Sequence, residues 1–451
     1  MKPRLLYMLM ILTLAVLAGC TTSPSPAATP VASTATSPPP TETPVPTATA
    51  TPVPPTETPT PTATVTPIPP TPTPIPPTPT PPPATDTVCA SGCDFTTIQA
   101  AIDAPSTKAG AIIEITDHIH TEAGIVVNKD VTIRGLGAAA TIVQAHETLD
   151  KTPERVFFVE EGATVTFEKM TIRHGKPSIQ DDCGGGAMNY GTLTLKNCIV
   201  TNNTANGGAG ICNSGALTVI NSTVSNNVAH EKAPRGLECG CGGGIKSGGG
   251  ELILINSTIS NNQTGNGNLG RNRGGGVHIG CACTAVFTNS TISGNRATNQ
   301  GGGIYVAGAL QLANCTISNN RASKRGGGIY LLGNLDYVNT IIAHNIGRGG
   351  NCGTGVTSDN TKEGTIGVNI NNLVEDGSCD SDYSGDPMLG PLTSNGGDTR
   401  THALLPGSPA IDMIPAISCT LPTDQRGAPR PVVQTSSDTP CDIGAFELQP
   451  D

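Results

Sequence analysis

The sequence predicts an all-β fold: a right-handed parallel β-helix solenoid with a short N-terminal capping helix and an irregular C-terminal cap. Three observations predict it. Six segments share one pattern, first as Asn197-Cys198-Ile199-Val200-Thr201-Asn202-Asn203, then as Asn221-Ser222-Thr223-Val224-Ser225-Asn226-Asn227, and again from Asn256, Asn289, Asn314 and Asn339. Gly-rich turns such as Gly301-Gly302-Gly303 precede most of them. The 55 Gly, the 3% of aromatic residues and the absence of Trp disfavour a compact globule, which fills its centre with large side chains.

The chain divides by composition. Residues 1–20 have the form of an export segment. Lys2 and Arg4 precede an apolar run, Leu5 to Ala18, too short to span a bilayer. The run ends in Leu17-Ala18-Gly19-Cys20, which resembles the lipobox of bacterial lipoproteins. That resemblance implies a diacylglycerol on the Cys20 thiol, cleavage before Cys20, attachment to a membrane through the lipid and display at the bacterial cell surface.

Residues 21–87 are almost wholly Pro, Thr, Ala, Ser and Val, with Glu42, Glu57 and Asp86 as the only charges. Nothing there supports a core, so a disordered stalk is expected. In polyproline II form, at about 3.1 Å per residue, it would reach roughly 200 Å.

Residues 88–346 carry the expected solenoid with its N-terminal cap. Ile98, Ala101 and Ile102 share one face of a short amphipathic helix. Short β-type runs follow at 111–115, 124–127, 131–133 and 141–143. The Thr97-Ile98-Gln99-Ala100-Ala101-Ile102 string ahead of such strands is similar to the cap of the pectin-lyase-like superfamily, which implies a helix covering the open end of the first coil. Cys89 and Cys93 are expected to close a loop beside it.

The six Asn segments are spaced by 24, 35, 33, 25 and 25 residues. A unit of about 24 residues with three short strands is one coil, and successive coils stack at about 4.8 Å. Inward aliphatics form ladders, corner Asn side chains bond from coil to coil, and the Gly triplets supply positive φ. The repeats resemble right-handed β-helix repeat proteins of bacterial surfaces, including the polymorphic outer-membrane-protein type. Because a Phe-x-x-Asn tetrapeptide is not evident, the resemblance is to the wider group.

The longer spacings place insertions at one site in the repeat, between the Asn-Asn pair and the Gly triplet. They span 176–183, 229–241 and 264–273, so they are expected to project from one edge. The same stretch of chain is basic. Between Ala187 and Leu335 the acids are Glu231, Glu238 and Glu251, against ten Lys and Arg, a local net of +7 in a chain of net −10. Arg271, Arg273, Arg296, Arg321, Lys324 and Arg325 fall on the insertion edge, with Arg296 and Arg321 at one repeat position. This strip is the candidate binding surface for an acidic polysaccharide or cell-envelope glycan. The competing reading is a solvated edge. No nucleic-acid partner is expected.

The pectin-lyase-like resemblance also implies a polysaccharide lyase or glycoside hydrolase as an alternative. Both chemistries need converging carboxylates. There is no Asp between Ala187 and Leu335. Asp181 and Asp182, with Lys232 and Arg235, are the candidates for catalysis, and the Asp pair with Glu231 or Glu238 is the candidate for calcium. No resident metal or other cofactor is expected. Four thiolates from Cys239, Cys241, Cys281 and Cys283 would suit zinc, but their spacing and the export segment favour disulfides. Cys198 and Cys315 hold one repeat position four coils apart, roughly 19 Å, too far to pair.

From 347 the repeat lapses. Cys352 and Cys379 bracket an Asn/Gly-rich section, and Cys419 with Cys441 is the second expected pair in this region. Asp386-Pro387-Met388-Leu389-Gly390-Pro391-Leu392, Asn395-Gly396-Gly397, Thr423-Asp424-Gln425-Arg426-Gly427 and Cys441-Asp442-Ile443-Gly444-Ala445-Phe446-Glu447 resemble the choice-of-anchor domains of bacterial surface β-helix proteins. Residues 347–451 are therefore expected to cap the last coil, with Asp412, Asp424, Arg426, Asp442 and Glu447 as structural polar links. The function expected of the whole is non-catalytic binding or adhesion, with enzyme and structural envelope component as alternatives.

Overall fold

A computed structural model of the chain describes residues 84–178, 183–230, 241–265, 272–355, 363–431 and 440–449. Cys20 and the stalk lie outside the described residues, apart from Ala84–Thr87. The fold is a right-handed parallel β-helix. Parallel strands form an 18-stranded, a 10-stranded and a 6-stranded sheet, and each strand pairs with its equivalents in neighbouring coils. Ile259, Ile292, Ile317 and Ile342 stand in register on successive coils and are wholly buried. Leu217, Leu252, Ala285, Leu310 and Leu335 form a second inward column. Each large aliphatic side chain stabilises the fold by about 1.5–3 kcal/mol on burial.

The repeat holds one more strand than the three expected. Two-residue strands such as Arg296–Ala297 build the 6-stranded sheet. Two residues show no alternation, so the sequence pattern does not reveal them. The solenoid also extends past residue 346: Thr365–Ile370 pairs with Asn334–Val338, and Leu373–Val374 with Ile341–Ala343. At the other end it starts at Thr85–Val88, whose first three residues fall in the stretch assigned to the stalk.

The helix Ile98–Asp103 covers the first coil with Ile98, Ala101 and Ile102 buried. The Thr97 hydroxyl accepts from the Ala100 N–H, and the Glu122 carboxylate accepts from the N–H groups of Ile98 and Gln99 at 2.7 and 2.9 Å. These bonds satisfy donors that a helix start leaves open. The Gln99 carboxamide bonds both backbone groups of Val126, at 2.7 and 3.2 Å, and so occupies an otherwise open strand edge.

The C-terminal region caps the last coil, as expected, but only through its first part. The last coil is closed by a short segment around Ser378–Asp380, where Cys379 joins the core and is disulfide-bonded to Cys352. The rest of the tail runs back along the flank of the 10-stranded sheet. Thr258 donates to the Arg400 carbonyl, Thr291 to Gln425 Oε1, and the Ala445 N–H to Thr316. Leu404, Ile414, Ile443 and Phe446 of the tail share a small core with Ile341 and Ala343. The reason is the outward face of these coils: Thr258, Thr291 and Thr316 are in register and offer hydroxyls, and Ile341 follows with an apolar side chain.

Polar links hold the tail itself. Arg430 donates to Glu447 at 2.6 Å, both buried, and Arg426 donates to Asp424 at 2.8 Å while its guanidinium lies 3.7 Å from the centre of the Phe446 ring. Asp442 accepts from the N–H groups of Asp412 and Leu448. Disulfides join Cys419 to Cys441, Cys89 to Cys93, and Cys183 to Cys212, a pairing the sequence did not suggest.

Candidate functional site: a basic edge

The edge is positioned by an asparagine ladder. Asn203, Asn227, Asn262, Asn295, Asn320 and Asn345 are buried, and each Nδ2 donates to the next residue's Oδ1 at 2.9–3.0 Å, ending on Asn351. The same oxygens accept the backbone N–H of the preceding Asn, as in Asn262 to Asn295 at 3.0 Å. The residue before each of these six Asn takes positive φ: Asn202, Asn226, Asn261, Gly294, Asn319 and His344. This turn sets the facing of the next two residues. The first of them points outward and the second, Ala297 or Ala322, points into the core.

Gln263, Arg296, Arg321 and Ile346 therefore form one outward column. A second column stands just before the glycines. Arg273, Gln300 and Arg325 are bridged in register, and Arg325 pairs with Arg348. The glycines lock it: a Cβ at Gly302 would meet the Gly327 carbonyl oxygen at 2.3 Å, and Gly301 takes φ +65°. Arg296, Arg321, Lys324, Arg325 and Arg348 are exposed, and Arg273 is half-buried. None of the six has a carboxylate partner among the described residues. Arg134, by contrast, sits between Glu114 and Glu168.

Beneath the edge lies an aromatic stack. His278 and Tyr305 lie parallel with centroids 5.0 Å apart, and Tyr330 follows at 5.7 Å. The Arg273 guanidinium lies 4.9 Å from the Tyr305 centroid. Burial, followed by the Lys246 and Arg273 charges, pulls His278 down to about 3, so it is neutral at ordinary pH. The two tyrosines are buried and serve as a support. Sequence reasoning missed this stack and Arg348. Their signal was the fixed offset in Gly-Val277-His278, Gly-Ile304-Tyr305 and Gly-Ile329-Tyr330, and the Arg-Gly-Gly at 348–350.

Of the expected site residues, Arg273, Arg296, Arg321, Lys324 and Arg325 are brought onto one edge. Arg271, Asp181, Asp182, Lys232 and Arg235 lie outside the described residues. Among the described residues no group of three or more His, Cys, Asp or Glu is placed to hold a metal ion. The four-thiolate zinc set is not formed: Cys241 and Cys281 are disulfide-bonded, and Cys283 is a buried free thiol donating to Ser247. Burial pushes the thiols of Cys198 and Cys315 up to about 12, so both remain protonated packing residues. No helix among the described residues is long and apolar enough to cross a membrane.

Two stretches, residues 289–307 and 314–331, match the Chlamydia polymorphic membrane protein repeat. They are the coils that carry Arg296 and Arg321. No curated protein sequence matches the chain. Among solved structures, the chain is similar to pectate lyase Pel9A, at 14% identity over 81% of this chain and 98% of that one, with a TM-score of 0.40. It is also similar to pectin methylesterase PemA from Erwinia chrysanthemi, at 12% identity over 67% and 92%, TM-score 0.37. A third is the A-module of mannuronan C-5 epimerase AlgE4 from Azotobacter vinelandii, at 14% identity over 62% and 83%, TM-score 0.31.

Proposed function

We propose that this chain is an exported, lipid-anchored surface protein whose β-helix binds an acidic polysaccharide or envelope glycan, without catalysis, through its basic edge. The observation that supports the binding surface is the exposed column of Arg296 and Arg321, in register on adjacent coils and without carboxylate partners among the described residues. Unpaired guanidiniums in water offer bidentate donors at little desolvation cost. Cys20, in the string Leu17-Ala18-Gly19-Cys20, is the proposed lipid attachment, and the stalk would hold the head away from the membrane. The tail strings support a choice-of-anchor relationship for residues 386–447, acting here as a flank clamp.

Retention on a polygalacturonate column tests the binding reading. The whole chain is expected to be retained at low salt and released as salt rises. The double variant Arg296→Glu/Arg321→Glu is expected to elute early. Equal retention of the variant overturns the edge as the binding site.

A further inference from the structure

Four consecutive coils each place at least one arginine on this edge. Arg273 belongs to the coil of Gln263, Arg296 to the next, Arg321 with Arg325 to the third, and Arg348 to the fourth. Parallel strand stacking sets the interval at about 4.8 Å per coil. The result is a comb of cations along the solenoid axis in two adjacent columns, Arg296 with Arg321 and Arg273 with Arg325 and Arg348, whose Cα positions are set coil by coil by the backbone ladder.

The comb has an end. Beyond Arg348 the chain turns through Gly349 and Gly350, and the Asp376 carboxylate packs against Gly350 and accepts from the Asn351 N–H at 2.8 Å. Glu375 lies 3.4 Å from the Asn351 carboxamide nitrogen. The sign of charge thus reverses one step past Arg348. Just before that reversal, Arg325 and Arg348 flank a cleft of about 370 Å³, completed by Gly349, Cys352, Gly353 and Thr354.

We infer that the edge takes a linear polyanion bearing one anionic group per repeat unit, laid along the solenoid axis, with its terminal unit in the cleft between Arg325 and Arg348. This rests on the acidic-polysaccharide reading and adds a register, an orientation and a stop to it. A polyuronate has the required chemistry, one carboxylate on every sugar. Asp376 and Glu375 repel a further anionic unit, so a chain end, rather than a chain interior, is what the cleft accepts.

Calorimetric titration of the whole chain with oligogalacturonates of increasing length tests this. Affinity is expected to rise with length and level off at about four units, the number of coils in the comb. Arg348→Gln is expected to lower the plateau affinity about tenfold, the loss of one charge-assisted contact, and to bring the plateau at a shorter oligomer. Affinity that climbs without levelling, or a polyacrylate of equal charge binding as tightly, overturns the inference while leaving the basic edge as a binding surface. No binding of any oligomer overturns the acidic-polysaccharide reading itself, and binding unchanged in Arg296→Glu/Arg321→Glu overturns the basic edge as its site and this inference with it.

Discussion

Gln425 accepts a hydrogen bond from the Thr291 hydroxyl at 2.6 Å, across 134 residues of chain. Its amide nitrogen donates to Thr258 at 2.9 Å and to Thr399 at 2.8 Å, so one buried carboxamide joins two coils to two stretches of the tail. Gln425→Ala takes the partner from the buried Thr291 hydroxyl, while Thr258 and Thr399 keep their bonds to the Arg400 and Asn256 carbonyls, at a cost of about 1–3 kcal/mol. The expected result is faster protease cleavage within the tail, with the β-sheet circular dichroism of the coils retained.

The asparagine ladder sets a second expectation. Asn262 accepts from Asn227 through both backbone and side chain at 3.0 Å and donates to the Val224 carbonyl at 2.9 Å. Asn262→Ala is expected to destabilise by about 2–4 kcal/mol in chemical denaturation. Gln263→Ala, one residue on and pointing outward, is expected to stay within about 0.5 kcal/mol.

His120 predicts a pH dependence. Burial works against its charge, but hydrogen bonds to Glu122 and Asp117, with their negative charges, raise its value above 6.5 overall. Glu122 also caps the helix Ile98–Asp103. A raised histidine contributes stability that is full below the unfolded value of about 6.5 and is lost as pH rises through the higher folded value. Melting temperature is expected to fall across that window, and His120→Gln is expected to remove that part of the slope. An unchanged slope in the variant would show that His120 does not carry it.

Cys419 and Cys441 are 22 residues apart and tie the ends of the tail's last loop. Loop-closure entropy for a loop of this size gives about 3 kcal/mol. Cys419→Ser/Cys441→Ser is expected to speed hydrogen exchange in the tail, most of all at the Ile414 N–H, which donates to the Cys441 carbonyl.

The coil was legible because its signals are local and repeated. The spacing from Asn197 to Asn339 gave the unit, alternate aliphatics gave the inward columns, and Ile98, Ala101 and Ile102 gave the helix face. The two-residue strand of Arg296 and Ala297 was hidden because alternation needs more residues than that. The tail's course was hidden because its determinants, Gln425 and Thr291, are meaningful only once both are placed in space. The basic edge was legible as a repeat position for Arg296 and Arg321. Arg348 was hidden because the Asn-Asn signal had already lapsed around His344-Asn345.

The flank clamp divides the solenoid into two evolutionary territories. The coils from Asn256 to Ala343 are held at set heights by Thr399, Gln425, His402 and Ala445. Duplicating a coil there would shift its partners by about 4.8 Å and break the match. The coils between Ile125 and Ser225 make no such bonds to the tail among the described residues. Duplication or deletion of whole units is therefore tolerated upstream and penalised downstream, so length variation between versions of this protein should concentrate before Asn256, leaving the arginine comb and its stop intact.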